Sequence, residues 1–279
     1  MTVCAHTPRS RRHRSAPRAG VALRGALLAL WALLAGASPA SAATAPESFS
    51  AKFVLEAHGM TVGSTELSLT PLPGGRAVYE SRSATAGLLS LIRDDRALER
   101  SELAYSPQGE MRPLAYRYER SGSKNKTVTI DFDWDEHTAL NTEKGRSWRF
   151  EIPEGTLDKL SYMLALMRDL RAGQREFHYP VNARGKLKTY HFEVVAEERI
   201  ETAFGAMRTL KVERIRNPGN PRETIVWCAP RLRYFPVKIM DRDEDGTITT
   251  LRIRSVDGLG MDAAGTDGPS RQDSLDAPR

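Results

Sequence analysis

The chain has 279 residues, 40% hydrophobic, 7% aromatic and 27% charged, with a formal net charge of +6. That excess sits at the N-terminus: residues 1–42 hold six arginines (Arg9, Arg11, Arg12, Arg14, Arg18 and Arg24) and no Asp or Glu, so the 41 basic residues less those six leave 35 against 35 acidic ones. A remainder this neutral has no global attraction for DNA, RNA or an anionic membrane, and the composition excludes collagen, a disulfide-rich scaffold and wholesale disorder.

The first segment reads as an export signal. The arginines precede an apolar run of about a dozen residues, 25–36, too short for the roughly 20 residues that cross a bilayer core. Ala40-Ser41-Ala42 then offers the small side chains of a signal-peptidase site, so cleavage is expected after Ala42. Arg11-Arg12 begins like a twin-arginine signal, but Arg14-Ser15 follows where an apolar pair belongs, and Val21 onward would make a compact signal by itself. No cysteine follows the apolar run closely, so no lipid anchor is expected. The expectation is a soluble periplasmic protein without a membrane span once the signal is removed.

Beyond residue 42, period-two alternation dominates. Residues 49–57, 61–70 and 76–85 read as strands separated by His58-Gly59 and Pro71-Leu72-Pro73-Gly74-Gly75. Strands over 93–105 and 112–120 follow. In 127–135, Val128, Ile130, Phe132 and Trp134 share one face and Asp131, Asp133 and Asp135 the other. One helix is expected over 156–172: Thr156 caps it, Leu157, Leu160, Leu164, Met167 and Leu170 form its apolar stripe, and Gly173 ends it. Asp158 in the first turn and Arg168 and Arg171 in the last complement the helix dipole. A second series of strands covers 187–196, 207–216, 223–229, 233–240 and 247–255. The fold class is therefore mostly β, an antiparallel curled sheet or barrel-like meander with one packed amphipathic α-helix. A central helix flanked by strands favours one β-rich domain over 43–256, a split near residue 150 being the alternative. The tail, 257–279, is poor in large apolar residues and is expected to be disordered.

Chemistry-bearing motifs are scarce. The sequence has no phosphate-binding Gly-Lys loop, dinucleotide fingerprint, HExxH, paired CxxC or G-x-S-x-G elbow, so no enzyme and no cofactor are expected. His58, His137, His178 and His191 stand far apart without metal-ligand spacing. Asp241-x-Asp243-x-Asp245-Gly246 resembles half of a calcium loop, but Arg252 occupies the twelfth position, where calcium needs an acid. A hairpin turning at Asp245-Gly246 is the simpler reading. Asp131, Asp133 and Asp135 with His137 read as a solvated strand face. Asp158 and Ser161 could join His178 or His191 in a hydrolytic set only if the fold brought them together. Cys228, the cysteine left once Cys4 departs with the signal, sits in an apolar run and reads as a small hydrophobe.

One segment is more apolar than a connection should be. Leu88, Leu89, Leu91 and Ile92 lie between two polar-patterned strands. They either close the bottom of the barrel or form a lip where an apolar ligand or partner touches. Trp227 adds to the second reading, because the strand 223–229 is apolar on both faces.

Several segments together resemble the bacterial domain-of-unknown-function family numbered 3108. They are Leu157-Asp-Lys-Leu-Ser-Tyr162, Leu170-Arg-Ala-Gly173, Glu198-x-Ile-x-Thr-x-x-Gly205 leading into Leu210-Lys-Val212, Ile225-Val-Trp227, Phe235-Pro-Val-Lys-Ile239 and Asp245-Gly246. Arg233-Tyr234 stands where the family more often has a leucine. The resemblance covers about 47–256 and implies a periplasmic β-rich protein of unassigned activity, with no catalytic residues to carry over. The expected role is a noncatalytic envelope protein that binds an apolar or amphipathic ligand, such as a lipid or an outer-membrane component. An interaction module that docks another envelope protein comes second, and an uncharacterised hydrolase third.

Overall fold

The computed structural model describes residues 47–87, 94–183 and 185–260. Among them, fifteen strands join in one sheet: β1 (Phe49–Ala57), β2 (Met60–Leu72), β3 (Arg76–Thr85), β4 (Arg96–Tyr105), β5 (Met111–Ser121), β6 (Lys126–Asp133), β7 (Thr138–Glu143), β8 (Arg146–Glu151), β9 (Leu157–Asp158), β10 (Glu176–Asn182), β11 (Leu187–Thr202), β12 (Gly205–Ile215), β13 (Glu223–Ala229), β14 (Phe235–Arg242) and β15 (Ile248–Asp257). The order across the sheet is β8-β7-β6-β5-β4-β3-β2-β1-β15-β14-β13-β12-β11-β10-β9. Two meanders, β1–β8 and β9–β15, are thus sewn together where β1 pairs antiparallel with β15. Every pairing is antiparallel except that of β9 with β10. The mostly β, antiparallel, curled architecture is as the alternation implied.

Among the described residues no ladder closes the sheet into a barrel. The two outermost strands, β8 and β9, follow one another in the chain, and side-chain hydrogen bonds tie each of them to a part of the sheet that is distant in strand order. The Trp148 indole of β8 donates to the Gly185 carbonyl beyond β10 at 3.1 Å, and the Ser101 hydroxyl of β4 donates to the Asp158 carboxylate of β9. Strand β8 carries Arg146, Arg149 and Glu151 on a largely exposed edge, charges that discourage pairing with another chain.

Helix α1 (Tyr162–Arg171) packs on the concave face and buries Met163, Leu164, Ala165, Leu166, Met167 and Leu170. Its Tyr162 ring stacks on Phe192 of β11 at 5.6 Å, and the Tyr179 hydroxyl of β10 donates to Asp169 at 2.8 Å. The far end closes as expected: Gly173 adopts φ 85° and its N–H donates to the Leu170 carbonyl at 3.0 Å.

The start of the helix differs from the reading of the sequence. Residues 157–158 pair as a strand with Val181 and Asn182, and the helix begins only at Tyr162. Thr156 does not cap it; its hydroxyl donates to the Pro153 carbonyl. Asp158 lies on β9 and is buried, not in the first turn of the helix. Its carboxylate accepts the Leu160 and Ser161 N–H groups, each at 2.8 Å, while Ser161 Oγ accepts the Asp158 N–H at 3.0 Å. The carboxylate therefore binds the chain one turn before the helix, and helical periodicity alone cannot separate those two positions.

Strands β7, β8 and β10 are additional to the elements expected. Pro180 lies in β10, where a proline argues against a central strand. It is tolerated because β9 reaches only Val181 and Asn182, leaving the rest of β10 an edge. Strand β14 starts at Phe235 because Arg233 and Tyr234 adopt left-handed backbone, with φ of 54° and 61°. At the C-terminal end β15 runs to Asp257 and Leu259 is buried in the core, so ordered structure extends beyond the expected limit at 256.

Candidate functional site

Cross-strand register builds a recess at one end of the concave face. Glu99, Tyr118, Val128 and Glu143 form one row across β4, β5, β6 and β7. Arg120 and Lys126 form the row nearer the rim, and Tyr116 lies one row deeper beside Ser101 and Ile130. These side chains, with Lys124, Asn125, Lys144 and Lys159, line a cavity of about 570 Å³. Its floor is aromatic and its rim is charged.

Polar groups on the floor are satisfied. The Tyr116 hydroxyl donates to Glu99 Oε2 at 2.8 Å; burial first, and then the Glu99 charge, push its ionisation far above the ordinary tyrosine range. Lys126 pairs with Glu143 at 2.7 Å and Arg120 with Asp95 at 3.3 Å. Lys124, Lys144 and Lys159 have no ion-pair partner among the described residues. The recess thus combines two tyrosine faces and Val128 with an excess of positive charge.

A larger recess of about 1000 Å³ lies at the same end, lined largely by outward residues. Lys52, Arg82 and Arg96 there face Glu66, Asp94 and Glu119, beside Ala84, Ala97 and Leu98, so charges of both signs share the lining and no aromatic side chain joins them.

The site residues expected from sequence fare differently. Leu88, Leu89, Leu91 and Ile92 lie outside the described residues; the strands that flank them, β3 and β4, end at the rim, where the Thr85 N–H donates to the Asp95 carbonyl at 3.0 Å. Trp227 does not line the recess. It projects from the convex face beside Lys238, whose ammonium lies 4.0 Å from the ring centroid. Beyond an irregularity at Val194/Ala196, the long β11–β12 hairpin brings Glu198 over that face, and the Trp227 indole donates to Glu198 at 2.9 Å. The second apolar face of β13 is covered by this hairpin. Cys228 is wholly buried, and burial pushes its thiol far above the ordinary range, against any nucleophilic role.

Asp241, Asp243 and Asp245 disperse to separate partners. Asp241 accepts the Thr224 hydroxyl at 2.7 Å, Asp243 pairs with Arg222 at 3.0 Å, and Asp245 accepts the Thr247 N–H at 2.9 Å. The segment is a hairpin turn, with Gly246 at φ 82° and its N–H on the Asp243 carbonyl. Millimolar calcium is therefore expected to leave Tm unchanged in a thermal melt; a dose-dependent rise lost in Asp243→Ala would reveal a site. Gly246→Ala should lower stability by about 1 kcal/mol through backbone strain alone, since an added Cβ meets no atom within 4 Å.

Two histidines that looked remote are neighbours. Strands β10 and β11 pair His178 directly with His191, their ring centroids 4.2 Å apart. Neither approaches Asp158 or Ser161 by any hydrogen bond among the described residues, and the Ser161 hydroxyl is occupied by the Asp158 N–H. The hydrolytic arrangement considered from sequence does not form. The signal for the histidine pair was present: Glu176-Phe177-His178-Tyr179 is mirrored by Tyr190-His191-Phe192-Glu193, and a hairpin folds such a palindrome so that identical residues meet.

Comparison with known proteins places these features in context. The model of a protein family of unknown function, DUF3108, matches residues 48–252. No curated protein matches. Among solved structures, a β-barrel-like protein of the DUF1849 family from Brucella abortus superposes with a TM-score of 0.51 at 9% identity, over 76% of this chain and 97% of that one. A lipoprotein candidate from Parabacteroides distasonis aligns over 76% of this chain and 96% of its own, with a TM-score of 0.30 at 11% identity. The first of these likenesses is one of fold alone. Among the described residues no helix is long and apolar enough to cross a membrane.

Proposed function

The chain belongs to the DUF3108 family, and from that premise we propose that it is an exported, noncatalytic envelope protein that binds an amphipathic ligand carrying an anionic group, such as a lipid. The observation that carries this reading is the recess at the rim of the curled sheet. Tyr116, Tyr118 and Val128 supply apolar surface, and Lys124, Lys144 and Lys159 supply positive charge without internal partners. Small-ligand sites combine mostly apolar walls with a few convergent polar groups. The N-terminal signal read from the sequence supports a place outside the cytoplasm, where lipids and outer-membrane components are the abundant amphipaths.

Titration with a fluorescent anionic lipid probe tests the assignment. Each exposed lysine contributes on the order of 0.2–1 kcal/mol to an ion pair, so Lys124→Glu/Lys144→Glu/Lys159→Glu should weaken binding about tenfold or more. The wild-type affinity should also fall between low and high salt, and a zwitterionic probe should bind less tightly. Equal binding of both probes to both proteins would reject the site. A protein partner that co-purifies in stoichiometric amount, with no lipid bound, would favour the envelope interaction module instead.

A further inference from the structure

Beyond the lipid reading and on a different face, we propose that His178, His191 and Glu176 form a binding site for a divalent transition-metal cation of the zinc class. Because Phe177 and Tyr179 turn into the core, strand alternation sends Glu176 and His178 to the convex face. The register then sets His191 beside His178 and Glu193 beside Glu176. Three potential ligands, Glu176, His178 and His191, thus meet on two adjacent strands, with Glu193 beside His191 and the backbone fixed by a seven-residue ladder.

The distances match the coordination sphere. Glu176 Oε1 lies 3.0 Å from His178 Nε2 and 3.3 Å from His191 Nε2, and the ligand atoms of these three residues all fall within 4.8 Å of one another. Zinc–nitrogen and zinc–oxygen bonds of about 2.0–2.2 Å in a tetrahedron put neighbouring ligand atoms roughly 3.4 Å apart. Glu193 Oε1, 3.0 Å from His191 Nε2, can supply the fourth ligand or leave that position to water. Two imidazoles with carboxylates suit zinc, copper and nickel; calcium and magnesium prefer all-oxygen shells.

A second observation points the same way. His191 Nε2 is buried, yet it makes no aligned hydrogen bond, although two carboxylate oxygens lie within 3.3 Å of it. A buried polar atom without a partner is costly, and a cation between the imidazoles and Glu176 would satisfy it. His178 is more open, with 56% of its side chain exposed, so a cation can enter from solvent.

Calorimetric titration of the untagged chain with zinc chloride tests the proposal. One equivalent should bind saturably, and calcium should give no comparable heat. His178→Ala should weaken binding at least the roughly tenfold that loss of an outer-shell partner already costs a metal site, and His178→Ala/His191→Ala should abolish it. Because His178 is exposed, its single variant keeps the fold, and far-ultraviolet circular dichroism checks that. Absence of saturable binding up to millimolar zinc, or unchanged affinity in His178→Ala, would overturn the site. Zinc binding that survives the double substitution would do the same by locating the cation elsewhere.

Discussion

Asp158→Ala is expected to destabilise the domain by about 3–5 kcal/mol in denaturant unfolding. The carboxylate is fully buried and accepts three donors: the Leu160 and Ser161 N–H groups and the Ser101 hydroxyl. Alanine would leave all three donors buried without partners, at roughly 1–3 kcal/mol each before relaxation. The same carboxylate joins β9 and the start of α1 to β4, so its loss also opens the seam where the sheet is not closed by a ladder. Asp158→Asn keeps the shape and the acceptor oxygen and should cost much less.

The two Asp158 variants also separate geometry from charge. Burial raises the Asp158 ionisation above its ordinary range, and its hydrogen bonds offset only part of that. A raised folded value means the native state holds its proton more tightly than the unfolded chain. Stability from this group is therefore complete below the unfolded value, about 3.9, and is lost as pH rises through the folded value. The difference in unfolding free energy between wild type and Asp158→Asn should shift in favour of the variant over that window. A difference independent of pH would show that the carboxyl does not titrate differently on folding.

Phe192→Ala should cost about 3–5 kcal/mol, the range for truncating a buried aromatic side chain. Phe192 is fully buried on β11 and gathers three rings: Tyr162 of the helix at 5.6 Å, Tyr179 of β10 at 6.5 Å and Tyr190 of its own strand at 6.4 Å. Its loss removes the aromatic contact that seats α1 on the second meander. Phe204, in the turn between β11 and β12 and 43% exposed, provides the comparison: Phe204→Ala should shift the unfolding midpoint only slightly. Equal losses for the two would mean that the hairpin tip is as firmly packed as the interior.

Much of the architecture was written in local pattern. Alternation of apolar and polar side chains marks most of β1 to β6 and β11 to β15, because a strand that buries one face wets the other; β13 is apolar on both faces and is buried along nearly its whole length. The helix announced itself through Leu164, Met167 and Leu170, and its end through Gly173. The family was equally legible, since the order of short segments from Leu157 to Gly246 survives without any one of them being diagnostic. What the alternation could not convey was the edge: β8 has few buried positions, and β10 carries a proline, so neither shows the pattern of a strand packed on both sides.

The sites depended on contacts distant in sequence. Trp227 looked like the wall of a pocket because β13 is apolar on both faces; the covering hairpin from β11 to β12 becomes visible only once it carries Glu198 to the Trp227 indole. Asp158 looked like a dipole-complementing acid in a first helical turn, and its true setting needs Ser101, 57 residues earlier. The cationic recess takes its lining from four strands, the turns that hold Lys124 and Lys144, and the segment before α1, none of which is unusual alone. Sequence by itself determined a curled antiparallel sheet with one helix, because those follow from periodicity within a few residues. The tertiary structure decided which charges lack partners and which histidines meet, because strand register sets distances between residues that the chain holds far apart.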